Sequence, residues 1–251
     1  MKGGESIFID KKSPVGVLIL HGFTSTPYRF KELAIFLSNK GFSVSVPLIA
    51  GHGTTPDDLM KTSPADWTDS VMAAYLKLKQ ISGRIIVIGG SFGSNLAFWL
   101  GQETGDELSG IISISAPIFL RFRRLIMLRY WTYGRFKKYY RKPPWANRTG
   151  LTDKMDEVVY SVIPIKSLKE FLDFISKDTI SHLPNIKAPV LIIQSTADLL
   201  LRHQSANYIF NNISSAVKEL YWFKVCGHNL LSDNTKEELF AKIVDFINKI
   251  T

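Results

Sequence analysis

A mostly parallel sheet covered by helices on both faces is predicted for this chain, on three observations. Short β-branched runs alternate with helical stretches along most of its length. The helical stretches carry recognisable start signals. At 251 residues and 45% apolar content, with no internal repeat or low-complexity linker, the chain fits one large α/β domain or two small ones with a sizeable core.

The strand candidates, in order, are ESIFID (5–10), VGVLIL (15–20), FSVSVP (42–47), RIIVIG (84–89), GIISIS (110–115), PVLIIQS (189–195) and KELYWFKV (218–225). Between them, Thr26-Pro27 opens a helix that closes near Gly41, and Ser63-Pro64 opens another with Trp67, Val71, Tyr75 and Leu78 at helical spacing. Ser167 with Glu170 reads as a capping box, and Asn234 with Glu237 starts an amphipathic C-terminal helix. From Ala116 to about His182 the rhythm breaks: no strand pattern occurs, and Pro143-Pro144 and Pro164 punctuate short helical pieces. The expectation is a core of 1–115 and 183–251 with a helical insertion over 116–182. An insertion at a strand's carboxyl end stands over the place where open α/β sheets bind ligands.

The junction RIIVIGGSFGSNLAFWLG carries the chemistry. A strand running through G-x-S-x-G into a helix forces the serine, Ser91, into a strained turn, and Gly89 and Gly93 let strand and helix approach without Cβ clashes. On its own such a turn also suits a phosphate cradle or plain tight packing. A serine alcohol is a weak nucleophile unless a base takes its proton and a carboxylate orients that base. PVLIIQSTAD ends in Asp198 and KELYWFKVCGH ends in His228, each a few positions past a strand candidate. The order Ser91, Asp198, His228 is the one this kind of sheet uses. His203 is only five residues from Asp198, His182 sits in the insertion, and Asp173 and Asp178 lie on or near the amphipathic helix there and are expected to face solvent, so all are weaker candidates. The amide of Phe92 at the helix start and that of Phe23 in VGVLILHGFTSTP can face an oxyanion at Ser91, with His21 shaping the loop.

Composition narrows the classes. MKGGESIFIDKK has no apolar core of a secretory leader, no run approaches the length of a membrane span, and the lone Cys226 suits a reducing compartment, so a cytoplasmic protein is expected. Cys226 reads as a small buried residue. Five scattered histidines without ligand spacing lead us to expect no metal and no cofactor. The net charge of +9 resides in Ile118–Lys142, which holds nine Lys and Arg, eight aromatics and no acid, leaving 22 bases against 22 acids elsewhere. Three readings stay open for this block: a cap whose apolar face lines a pocket, a surface for anionic membrane, and a nucleic-acid site, which has the charge but no recognised module.

LILHGF, LIAGHG, GGSFG, STAD and CGH stand in the order and approximate spacing of α/β-hydrolase carboxylesterases and monoacylglycerol lipases, and the chain resembles that family over nearly its whole length apart from the insertion. The resemblance implies the α/β-hydrolase fold with a helical cap and cleavage of small-molecule or lipid esters through an acyl-enzyme. In it Ser91 is the nucleophile, Asp198 the orienting acid, His228 the base, the Phe23 and Phe92 amides the oxyanion hole, and Gly51-His52-Gly53 a structural loop near the site. The chain departs from the family pattern at Gly90, where His or Leu is frequent, and at Ser94, where glycine is. A peptidase of this fold needs acids to hold an amino terminus, against which the basic insertion argues, and a dehalogenase needs a carboxylate where Ser91 stands. A binder without catalysis keeps the same pocket.

Overall fold

The computed structural model describes residues 3–133, 136–142, 159–224, 227–231 and 235–251. Cys226, Pro143-Pro144, Asn234 and the end of the last strand candidate at Val225 lie outside them. The main sheet has seven strands: β1 (Ile7–Ile9), β2 (Val15–Leu20), β3 (Ser43–Val46), β4 (Arg84–Gly90), β5 (Leu108–Ile114), β8 (Val190–Ser195) and β9 (Lys218–Phe223), in the spatial order β1-β3-β2-β4-β5-β8-β9. All neighbours are parallel except β1 on β3. All seven strand candidates are therefore strands, and the fold is the α/β-hydrolase fold.

The central strands are apolar on both faces because both faces are covered. Val17, Ile19, Ile86, Ile88, Ile112 and Ile114 point to one side, where Leu33 and Leu37 of α1 (Lys31–Asn39) meet Leu239, Ile243 and Phe246 of the C-terminal helix, α8 (Lys236–Ile250). Leu18, Leu20, Ile85, Val87 and Ile111 point to the other, under α3 (Pro64–Lys79) and α4 (Phe92–Thr104). Trp67, Val71, Tyr75 and Leu78 are the buried stripe of α3, whose first turn is closed by the Asp66 carboxylate accepting from both the amide and the hydroxyl of Ser63. The helix opened by Thr26-Pro27 begins as a 3-10 turn over Pro27–Phe30 before settling into α1. A short helix the sequence reading passed over, α2 (Pro56–Lys61), is capped by Thr55, whose hydroxyl oxygen accepts from the Asp58 amide.

The insertion departs from expectation in two places. It contains strand: β6 (Tyr139–Arg141) pairs antiparallel with β7 (Val162–Pro164), three residues each, too short and too charged at Arg141 to give a periodic signal. Beside this ladder stands α5 (Arg123–Tyr133). Ser167 is also not a cap. The helix α6 (Ile165–Phe174) starts directly after Pro164, which already fixes the backbone, and Ser167 lies buried within its first turn, donating to the Leu59 carbonyl at 3.1 Å. That places α6 against α2. Leu168, Phe171 and Phe174 join the core shared with α3 and α4, and a π-helical turn (Ile175–Thr179) and a 3-10 turn (Ile180–Asn185) lead back toward β8. A final helix, α7 (Gln204–Asn212), follows β8, and α8 begins at Lys236 after Thr235.

Candidate active site

Ser91 sits where β4 becomes α4, with φ 52° and ψ −121°, a left-handed conformation rare for a residue with a side chain. The turn is held from several directions. The Ser91 amide donates to Ile114 O at 2.8 Å, and the Ser94 amide donates to Ser91 O at 2.8 Å. A Cβ placed on Gly93 would lie 2.0 Å from the Leu20 carbonyl oxygen, so only glycine lets α4 start this close to β2. The two departures from the family pattern have local reasons. Gly90 leaves room for the Phe30 ring, whose Cζ lies 2.4 Å from where a Cβ would be. The Ser94 hydroxyl donates to Gly89 O at 2.7 Å and its oxygen accepts from Ile114 N at 3.1 Å, lacing the turn to β4 and β5.

Three residues drawn from separate loops meet here. His228 Nε2 lies 3.1 Å from Ser91 Oγ, and His228 Nδ1 lies 2.8 Å from Asp198 Oδ2. A carboxylate only accepts, so Nδ1 carries the proton and the Nε2 lone pair faces the hydroxyl, the arrangement that lets an imidazole take a proton from an alcohol. Asp198 is fully buried. Burial pushes its carboxyl up, but the His228 contact and the amides of Leu201 and Leu200 outweigh burial and hold it below the usual carboxylate range. Those amides reach Oδ1 at 2.9 and 2.8 Å.

The sequence reading missed the residues around this carboxylate. Gln194 Nε2 donates to Asp198 Oδ2 at 3.0 Å; its signal was one amide-bearing residue closing the apolar run VLII. Arg121 Nε donates to the backbone oxygens of Asp198 and Leu201 at 3.1 and 3.0 Å, tying the start of the insertion to the acid's loop. The Ser115 hydroxyl donates to His228 O at 3.3 Å. The weaker candidates stay apart: His203 faces Thr196 O at 2.6 Å and packs on Trp222, His182 is exposed, and Asp173 pairs with Lys169 at 2.6 Å.

Phe92 heads α4, so its amide has no acceptor within the helix. Phe23 lies in the turn closed by Ser25 N donating to Gly22 O at 3.1 Å, a bond that leaves the Phe23 amide uncommitted to the turn. Their rings meet edge to face, with centroids 5.7 Å apart, and Phe171 of α6 stacks on Phe23 at 4.8 Å. His21 is structural, as expected. Its Nε2 accepts from the Ile49 amide at 3.1 Å, so Nδ1 is the protonated nitrogen and donates to Gly22 O at 3.0 Å. Burial pushes its pKa to about 3, which keeps it neutral. His52, packed edge-on to His21, is held neutral in the same way, at about 4.

Ser91 and His228 open into a cavity of about 600 Å³, roofed by the insertion through Phe122, Leu125, Tyr140 and Lys142. Among the described residues no cluster of three or more His, Cys, Asp or Glu is assembled that could hold a metal. None of the helices among the described residues is long and apolar enough to cross a membrane.

The chain is similar to known proteins over most of its length. Residues 12–235 match the family model described as serine aminopeptidase, S33. A carboxylesterase of Bacillus subtilis (strain 168) is 28% identical over 245 residues, covering 97% of this chain and 96% of its own. A thermostable monoacylglycerol lipase of Bacillus sp. (strain H-257) is 30% identical over 249 residues, covering 98% and 95%. A metagenome-derived lipolytic enzyme superposes with a TM-score of 0.88 at 28% identity over 99% of both chains. The chain thus belongs to the α/β-hydrolase family whose model bears the serine aminopeptidase S33 description, and within it to the serine hydrolases of the carboxylesterase and monoacylglycerol lipase kind.

Proposed function

We propose that the protein is a carboxylesterase working through an acyl-enzyme, with Ser91 as nucleophile, His228 as base and then acid, and Asp198 as the group that orients and charges-up the imidazole. The observation that supports this most is the continuous run of bonds from Asp198 Oδ2 through His228 to Ser91 Oγ, at 2.8 and 3.1 Å, opening on an apolar cavity. Ser91 Oγ attacks the ester carbonyl as its proton passes to His228 Nε2. The amides of Phe23 and Phe92 stabilise the oxyanion, and protonated His228 releases the alcohol. Water then surrenders a proton to His228 and attacks the acyl-enzyme, and His228 returns that proton to Ser91 Oγ as the acid leaves. Residues 116–182 act as the cap that shapes the acyl pocket. Ser91→Ala abolishes both ester cleavage and labelling by a fluorophosphonate probe in this reading. Ester cleavage at the parent rate by Ser91→Ala refutes it, and a parent protein that neither cleaves esters nor labels is instead a binder.

A second reading, a monoacylglycerol lipase that works at a lipid surface, is favoured by the outer face of the cap. Leu128, Trp131 and Phe136 are 59%, 74% and 87% exposed there, among exposed cations such as Arg124 and Arg141. The similar monoacylglycerol lipase named above supports the same direction. Flotation with anionic against neutral vesicles tests it: stronger recovery with anionic vesicles supports the surface reading, and equal absence from both removes it.

A further inference from the structure

The cavity wall is electrically one-sided. No Asp or Glu lines it among the described residues, while Arg29 and Lys142 do. Lys142, immediately after β6, turns its ammonium to the Thr24 hydroxyl oxygen at 2.5 Å. Thr24 donates its own proton to Phe23 O at 2.6 Å, so it can receive the ammonium but brings no charge to balance it. No ion pair to Lys142 forms with any described carboxylate. An ammonium with two donor hydrogens to spare, in a mostly apolar chamber whose wall also carries the Arg29 guanidinium and no described carboxylate, is a donor and a charge lacking an acceptor. A plain acyl chain gives it nothing to bond. An anion satisfies it.

We propose that Lys142, with Arg29 on the same wall, forms an anion subsite in this cavity, so that the preferred substrates are esters carrying a carboxylate or phosphate group near the scissile bond. The proposal rests on the ester-hydrolase reading and specifies its substrate class. Thr24 directly follows Phe23, so the subsite adjoins the candidate oxyanion loop, and the anion lies within a few bonds of the ester carbonyl. The charge is also titratable in the working range. Burial, followed by the repulsion of Arg29, pushes the Lys142 pKa down to about 7. The other titratable groups coupled to it do not change charge there: Arg29 stays cationic, and His52 stays neutral with its pKa at about 4. Anion selectivity is therefore greatest below pH 7 and fades as Lys142 loses its proton above it.

Two matched pairs test this by kcat/KM: monomethyl adipate against methyl hexanoate, and 1-hexanoylglycerol 3-phosphate against 1-hexanoylglycerol. The first pair isolates a carboxylate on the acyl side, the second a phosphate on the alcohol side. The expected result at pH 6 is at least a tenfold preference for the anionic member of one pair. Lys142→Met moves that ratio toward one, and Lys142→Arg keeps most of it. In the adipate pair the ratio falls between pH 6 and pH 8.5, and the pH dependence of the bond-breaking step cancels in it. Ratios near one in both pairs for the parent protein overturn the subsite, as does a Lys142→Met ratio equal to the parent's. If that variant fails to fold, the parent's ratio and its pH trend decide alone. Cleavage of none of the four esters is a different outcome, which takes down the hydrolase reading and the subsite with it.

Discussion

Gly93→Ala is the sharpest probe of how this fold builds its site, because the clash it creates is with the backbone of Leu20 and His21. The added Cβ lies 2.0 Å from the Leu20 carbonyl oxygen and 2.9 Å from that of His21, where real Cβ atoms stop at about 3.0 Å. β2 and α4 must therefore part by about 1 Å. Leu20 is fully buried at the end of a central strand and has no room to yield. Overpacking of this kind costs about 1–3 kcal/mol, which for a chain of this size lowers Tm by roughly 2–12 °C. The same displacement pulls the Phe23 loop, which leaves β2 three residues later, away from Ser91 and Phe92. A misplacement of about 1 Å at reacting groups costs on the order of 100-fold in rate. Gly83→Ala is the control, since a Cβ there meets nothing within 4 Å and the backbone is not left-handed; it leaves stability unchanged or raises it by about 0.4–1 kcal/mol. Thermal unfolding and kcat/KM on a short ester, measured for both variants, check the pair. A Gly93→Ala protein as stable and active as the parent refutes the claim that helix–strand contact sets the oxyanion geometry.

Two more outcomes follow from the acid's surroundings. Asp198→Asn keeps the shape but offers an amide to His228 Nδ1, reversing the imidazole tautomer, so kcat falls by about 10⁴ while binding of neutral ester changes little. Because the Asp198 carboxyl is held below its ordinary range, its ionisation stabilises the fold at and above that range, and the contribution disappears as pH falls through the depressed value. Acid denaturation of Asp198→Asn accordingly shows a shallower pH dependence than the parent, and parallel curves would contradict this. Gln194→Leu removes one donor from Asp198 Oδ2, so the carboxyl titrates higher and its contribution to stability is lost at higher pH, with kcat/KM about tenfold lower at neutral pH. Acid unfolding that begins at the parent's pH would make Gln194 a packing residue only.

The sheet was legible because strands buried on both faces leave uninterrupted apolar runs, which sequence shows directly. The positions of Ser91, Asp198 and His228 were legible for a related reason. Each follows a strand candidate within a few residues, and parallel strands deliver their carboxyl ends to one rim. Gln194, Arg121 and Ser115 were not, since what they do depends on which loop lies opposite, a property of tertiary packing that no local spacing encodes. The insertion was the least legible. Its three-residue ladder is shorter than any periodicity can register, and Ser167-x-x-Glu170 carries the letters of a cap although Pro164 had already started the helix.

Where the chain holds its backbone strain ties these parts together. Four non-glycine residues among those described have positive φ: Lys12, Thr24, Ser91 and Ser115. The last three all line the cavity. Each such residue costs about 1–3 kcal/mol and persists only when its neighbours over-determine it. For Ser91 and Ser115 the restraint comes from within the sheet, through amides bonded to Ile114 O and Ile193 O at 2.8 Å. Thr24 has no strand beside it. Its carbonyl accepts from the Tyr160 amide at 3.0 Å, its hydroxyl oxygen accepts from Lys142, and the ring of its neighbour Phe23 is stacked on Phe171. All three of these contacts come from the insertion. The Ser91 turn is thus held from within the sheet, whereas the Phe23-Thr24 loop facing it is held from two sides, by His21 and Phe92 of the α/β body and by Tyr160, Lys142 and Phe171 of the insertion. Loosening the insertion therefore acts on the Phe23-Thr24 loop first, and leaves the Ser91 turn in place.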